Sequence, residues 1–161
     1  AYHGVVCMSF CNDTFNDICI AWNKVVRRIF NLPFRTHTVF LSSISSKPHV
    51  KFSIFARFVR FASCILHSDN CTISYIGRYC VENNLSRFGL NLSTTLRYTH
   101  CSVREFKNMS RKEHGVLRKS LLLVSDGDYR VHFIKDLLSL IALNHDDRNL
   151  FEAFLEHLCC D

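Results

Sequence analysis

Asp13-Thr14-Phe15-Asn16-Asp17-Ile18-Cys19-Ile20-Ala21-Trp22-Asn23-Lys24-Val25-Val26-Arg27-Arg28-Ile29-Phe30-Asn31 is the stretch that decides the fold. Phe15, Ile18, Cys19, Trp22, Val25, Val26, Ile29 and Phe30 recur at three- and four-residue steps, the repeat of one helical face. Asn16, Asn23, Lys24, Arg27 and Arg28 fall on the other side. Thr14 with Asp17 three residues on reads as a capping-box variant. Leu32 precedes Pro33, and a residue before proline resists the helical region, so the helix is expected to stop near Asn31. Trp22 lies mid-stripe and reads as core rather than as a platform for stacking bases.

The same repeat extends along the chain. Residues 37–45 suit a turn or two of helix. From 48 to 67, Val50, Ile54, Phe55, Phe58, Val59, Ala62, Ile65 and Leu66 form a second long stripe, with Pro48 in its first turn. Phe52 and Phe61 widen that stripe, so cover on more than one side is expected. A shorter helix over 70–82 runs through Ile73, Ile76, Tyr79 and Cys80. Residues 83–108 turn polar and read as a long irregular connection. Ser110 with Glu113 is a capping box opening a helix to about 123. Two more helices are expected, from Asp126 or Asp128 to about 143 and from about 147 to 159. The expectation is an all-α fold, an irregular bundle of about six helices in two small halves. Those halves are a basic helical segment over 1–82 and a C-terminal segment over 109–161 with an acidic end.

Composition supports this and excludes other classes. The 161 residues are 48% hydrophobic and 21% charged, too apolar for a disordered chain. Five Gly and two Pro are too few for the frequent tight turns of sandwiches and barrels. No apolar run is long enough to span a membrane, so no membrane partner is expected. The first residues, Ala1-Tyr2-His3-Gly4, read as a cut end of something longer rather than a signal peptide.

Nine cysteines, an odd number, do not make a complete disulfide framework. Cys19 and Cys64 fall on apolar helical phases, where cysteine acts as a small hydrophobe. Five Asn-x-Ser/Thr sequons, at Asn12, Asn70, Asn84, Asn91 and Asn108, are expected by chance in so Asn- and Ser-rich a chain. Asn12 and Asn70 also sit where helix caps belong. With no leader, an intracellular location, nucleus or cytoplasm, is expected. Cys7 and Cys11 lack a matching zinc-ligand pair. Asp126-Gly127-Asp128 lacks the later ligands of a calcium loop. No nucleophile elbow or phosphate-cradling glycine loop is present. No catalytic residue, metal site or cofactor is therefore assigned.

The charge is uneven. Residues 1–120 hold 17 Lys/Arg against 6 Asp/Glu, and residues 121–161 hold 3 against 8. A basic body suits a polyanion, or an acidic tail folded back upon it. Arginine outnumbers lysine 13 to 7, and its planar fork suits bidentate phosphate contacts.

Ala21-Trp22-Asn23-Lys24-Val25-Val26-Arg27-Arg28-Ile29-Phe30-Asn31-Leu32-Pro33-Phe34-Arg35-Thr36-His37-Thr38 resembles a segment downstream of the polymerase domain in reverse transcriptases of non-LTR retrotransposons, the jockey- and CR1-like, LINE-type elements. Arg57-Phe58 with Phe61, Ser68-Asp69-Asn70 and the closing 154–161 are similar in weaker form. Tyr2-His3-Gly4-Val5-Val6-Cys7 only faintly matches that family's pattern, and Asn23 stands where it has a basic residue. The polymerase core with its paired aspartates is absent. The resemblance implies a thumb or post-thumb piece of an RNA-directed DNA polymerase, not itself an enzyme. Its implied partners are the RNA template, the DNA primer or hybrid duplex, and the upstream polymerase domain.

The residues themselves allow this. Lys24, Arg27 and Arg28 share a helical face. Arg35 and His37 follow just past the helix stop, and Lys51, Arg57 and Arg60 project from the second long helix. Such a face follows phosphates without reading sequence. His37 could equally hydrogen-bond nearby backbone and fix the Pro33 turn. The competing readings are a helical protein-interaction module with an incidental basic face, and a remnant of a decayed element with no function.

Overall fold

The structure is a computed structural model, and it describes residues 4, 7–45, 47–83, 86–123, 136, 138 and 139. Seven helices and no strand occur among these residues: α1 (Asp13–Ile29), α2 (Thr38–Ser45), α3 (Val50–Leu66), α4 (Cys71–Asn83), α5 (Arg87–Leu96), α6 (Val103–Asn108) and α7 (Arg111–Leu123). The protein is an all-α bundle. Of the two helices expected beyond residue 125, only residues 136, 138 and 139 are described, and they are helical; the rest of both, and the closing 154–161 match, lie outside the described residues.

Two corrections concern organisation. Residues 83–108 are not a connection, because they carry α5 and α6. Nor does the chain divide there. Residues 1–17 and 50–124 form one compact unit, and 18–49 with 125–161 form the other. Helix α1 begins in the first range and ends in the second.

Local chemistry sets most helix ends. At the close of α1, Asn31 adopts φ 48°. Its N–H reaches the Arg28 carbonyl, and the Leu32 N–H reaches the Arg27 carbonyl at 2.8 Å. This is a Schellman stop with asparagine at the left-handed position, and Pro33 prevents renewed helix. Thr14 lies inside the first turn rather than capping it, since α1 starts at Asp13. Asn70 caps α4, its Oδ1 accepting from the Thr72 and Ile73 N–H groups. Ser110 and Glu113 form the expected capping box of α7. An unexpected second box, Ser102 with Glu105, opens α6. The bonds from these serines hold the Glu105 and Glu113 carboxyls below the usual carboxylate range. Stability from both boxes is therefore complete above the ordinary carboxylate pKa and is lost as pH falls from it through the lower folded-state values.

In the first unit, α3 is the axis. Ile54, Phe55, Phe58, Val59, Ala62 and Leu66 are all buried, and α4, α5 and α7 pack around them. Phe10, Phe15, Phe52 and Tyr98 surround the Phe55 ring with centroids 5.2–6.3 Å away. Polar residues of α5 turn inward with full hydrogen bonding. Buried Asn91 accepts from the Phe10 N–H at 2.9 Å and donates to the Met8 carbonyl at 2.6 Å. Buried Thr95 donates to the Asn91 carbonyl. Asn91 is thus a clamp on the N-terminal segment, and its sequon is closed to glycosylation in the folded chain. No disulfide joins any two of the seven described cysteines.

Helices α3 and α4 approach closely at Gly77, which is buried. A Cβ there would lie 2.3 Å from Ile65 Cγ2, on a stiff β-branched side chain. Alanine favours a helix over glycine by about 1 kcal/mol. Forced overpacking costs about 1–3 kcal/mol, so Gly77→Ala is expected to destabilise despite its better propensity. Urea unfolding checks this. Ile65→Ala in the same chain removes the opposing methyl, and the pair should show strong coupling in a double-mutant cycle.

Candidate nucleic-acid interface

The sequence-derived cations fall into two sets. Lys24, Arg27, Arg28, Arg35 and His37 belong to the second unit, and Lys51, Arg57 and Arg60 to the first.

In the second unit, Lys24, Arg28 and Arg35 are exposed, whereas Arg27 and His37 are half-buried. The Arg27 guanidinium donates twice to the Thr36 carbonyl, from Nε at 3.2 Å and Nη2 at 2.7 Å. Buried Thr36 in turn holds the Pro33 carbonyl through its own N–H and Oγ1. Arg27 is therefore tied to the loop after α1, and Thr36, not His37, fixes the Pro33 turn. His37 Nδ1 accepts from the Val39 N–H at 3.4 Å, which places it as the cap of α2. The local backbone bond weighed for it is present, but it caps α2 and does not fix the Pro33 turn. On α1, Trp22 is half-buried, while Val25 and Ile29 are exposed.

In the first unit, Lys51 hydrogen-bonds to the Tyr98 hydroxyl, and its ammonium lies 4.5 Å from the Tyr98 ring centroid. Its charge is spent on an aromatic partner in the turn after α5. Arg57 and Arg60 are both exposed on α3.

Arg60 does not act alone. With Ser63 and Cys64 of α3, and with Arg111, His114, Gly115 and Arg118 of α7, it lines a cavity of about 260 Å³. Arg111 and Arg118 are seven residues apart, two helical turns on one face. The packing of α7 on α3 brings them to Arg60. Three guanidinium groups thus line one concavity, and no carboxylate stands among its described lining residues. Cys64 is exposed at this cavity rather than packed as a core hydrophobe.

The rear of the cavity is rigid. His114 is 2% exposed. Its Nε2 lies 2.8 Å from the Phe106 carbonyl, which can only accept, so Nε2 carries the proton. Nδ1 then accepts from the Ser63 hydroxyl at 2.9 Å. Burial pushes the His114 pKa down, opposed by the Phe106 bond and aided by His67. The His67 ring stands edge-on to His114 at 5.2 Å. Its Nδ1 donates to the Ser63 carbonyl at 3.1 Å, and Arg111 donates to the His67 carbonyl. These links anchor α7 to the end of α3 and orient Arg111.

The sequence reading named Arg60 and did not name Arg111 and Arg118, which share its cavity. The spacing of the latter two was visible. Their meeting with Arg60 depends on which helix packs on α3, and a periodic stripe does not name its partner. Among the described residues, no group of three or more His, Cys, Asp or Glu is placed to hold a metal ion. No described helix is long and apolar enough to cross a membrane. No known protein family, curated protein or solved structure matches this chain.

Proposed function

We propose that this chain is a non-catalytic helical segment of a retrotransposon-type reverse transcriptase that grips the sugar–phosphate backbone of a template–primer duplex. The observation that carries the reading is the three-arginine cavity between α3 and α7. Guanidinium forks match phosphate oxygens bidentately, and several around one concavity fit a single phosphate from different sides. The contacts are to backbone chemistry, so the binding is independent of sequence. Exposed Lys24, Arg28 and Arg35 supply a second set of phosphate contacts. The resemblance over 21–38 supplies the duplex as the ligand.

The test is binding of the full chain to an RNA–DNA hybrid duplex by fluorescence anisotropy over a range of salt. Arg60→Gln with Arg118→Gln is expected to weaken binding about tenfold or more and to lower the log–log salt slope by about 0.9 per lost phosphate contact, as for B-DNA. Arg111 stays in this pair because it also holds the His67 carbonyl. Lys24→Ala with Arg28→Ala should lower the slope further, leaving Arg27 to hold its loop. Unchanged affinity and slope in a variant that melts like the parent would overturn the reading.

One observation favours a second reading, a helical protein-interaction module. Ile73, Tyr75, Ile76 and Tyr79 leave much of α4 apolar and exposed. A saturable protein partner with no salt-dependent affinity for the duplex is what that reading requires.

A further inference from the structure

The first unit holds a second concavity, unlike the arginine-lined one. It lies between α3, α4 and α5 and has a volume of about 360 Å³. Phe58, Phe61 and Ile65 of α3, Ile73 and Ile76 of α4, and Phe88 of α5 supply its walls. Ile73 and Ile76 remain about half exposed, which is costly for large aliphatic side chains with no occupant over them. The size falls within the range of small-molecule sites, and a mostly apolar lining with few polar groups is their usual character.

The polar groups in the lining define the ligand. Asn91 reaches the wall, but both ends of its amide are consumed by the Phe10 N–H and the Met8 carbonyl. At 1% exposure it presents little of that amide to the edge of a base or sugar. Cys7 and Cys80 are weak partners. Among the described lining residues Arg87 is the one that is charged, and no acid accompanies it there. Its described contact is a long one, from Nη1 to the Cys7 carbonyl at 3.5 Å. Most of the five-donor fork is left over. Arg87 is also the first residue of α5, where the helix dipole adds to its attraction for an anion. The occupant therefore needs an unbranched or flexible apolar body, no hydrogen-bonding requirement along its length, and one anionic head.

We infer that the α3–α4–α5 cavity binds a medium-chain fatty acid, its chain against the phenylalanine and isoleucine walls and its carboxylate paired with Arg87. A carboxylate matches the guanidinium fork in shape and charge. An alkylammonium of equal length would place its charge against Arg87 and be rejected. This site shares no lining residue with the arginine cavity between α3 and α7. It does not rest on the duplex-binding reading.

Isothermal titration of the full chain with decanoate, 1-decanol and decylammonium, each below its micelle concentration, tests the inference. Decanoate is expected to saturate a single site, 1-decanol to bind more weakly, and decylammonium not to bind. Arg87→Gln should weaken decanoate about tenfold, the scale of one lost charge-assisted bond, and leave 1-decanol unchanged. Ile76→Trp, at a half-exposed wall position, should block both by filling the cavity. Thermal melting of each variant establishes that it is folded. Absence of saturable decanoate binding, equal binding of decylammonium, or an Arg87→Gln variant with undiminished decanoate affinity would each overturn the assignment.

Discussion

Replacing Phe55 by alanine should cost about 3–5 kcal/mol, a large part of the roughly 5–15 kcal/mol that holds a domain folded. Phe55 is fully buried at the centre of α3. Its ring stacks on Phe15 with 13° between planes, and Phe10, Phe52 and Tyr98 close the other sides. These neighbours come from the N-terminal segment, α1, α3 itself and the turn after α5. No single one of them can relax into the space without leaving the others, so the cavity would persist. Lys51 sits 5.8 Å from the Phe55 ring centroid and holds Tyr98, so loss of the ring also loosens that cation–aromatic pair. Chemical denaturation should show a lower midpoint with the slope retained. A variant with a midpoint near the parent's would mean the cluster repacks, contrary to the close packing expected of a core.

The elements that were legible in the sequence are those whose signal is local. The α1 stripe and the Leu32-Pro33 stop, the stripe of α3, and the Ser110–Glu113 box each rest on residues within a few positions of one another. All three describe the structure to within two residues. The misreading of 83–108 came from treating polarity as irregularity. Asn91 and Thr95 are polar yet buried, because their partners, Met8, Phe10 and the Asn91 carbonyl, satisfy them. Two of those partners lie more than 80 positions away, where no window reaches. The Ser102–Glu105 box was readable by the rule that found Ser110–Glu113.

The candidate site divides along the same line. Exposure of Lys24, Arg28 and Arg60 followed from their helical phase. The fates of Lys51 and Arg27 did not. Lys51 is claimed by Tyr98, 47 residues on, and Arg27 by a carbonyl whose position depends on how the chain turns at Pro33. A positive side chain on the polar face is a donor as well as a charge. Whether a nearby carbonyl or ring takes it first is decided by packing.

His114 should make stability depend on pH in a window that the carboxylates do not explain. The neutral ring is held by the Ser63 hydroxyl and the Phe106 carbonyl. Burial and His67, just past the end of α3, disfavour a proton there; the bond to the Phe106 carbonyl and the neighbouring Glu113 favour one. The folded-state pKa therefore lies below the ordinary 6.5, chiefly because of burial. The unfolded chain takes up a proton near 6.5 that the folded chain resists. Stability from this group is complete above that value and is lost as pH falls from it through the lower folded-state value. The capping glutamates act only at the lower pH where carboxylates titrate. Urea unfolding of the parent and of His114→Phe should give curves that converge as pH drops below 6.5, because phenylalanine carries no proton to resist. Parallel curves would show that His114 titrates normally. His114→Ala is the harsher change. It leaves the Ser63 hydroxyl and the Phe106 carbonyl without their partner and opens a cavity, at a combined cost of about 3–4 kcal/mol. It also removes the link that joins α7 to both α3 and α6. Arg111 and Arg118 ride on α7, so this variant should lose duplex affinity together with stability. His114→Gln, which can still donate to the carbonyl and accept from the hydroxyl, should recover part of both.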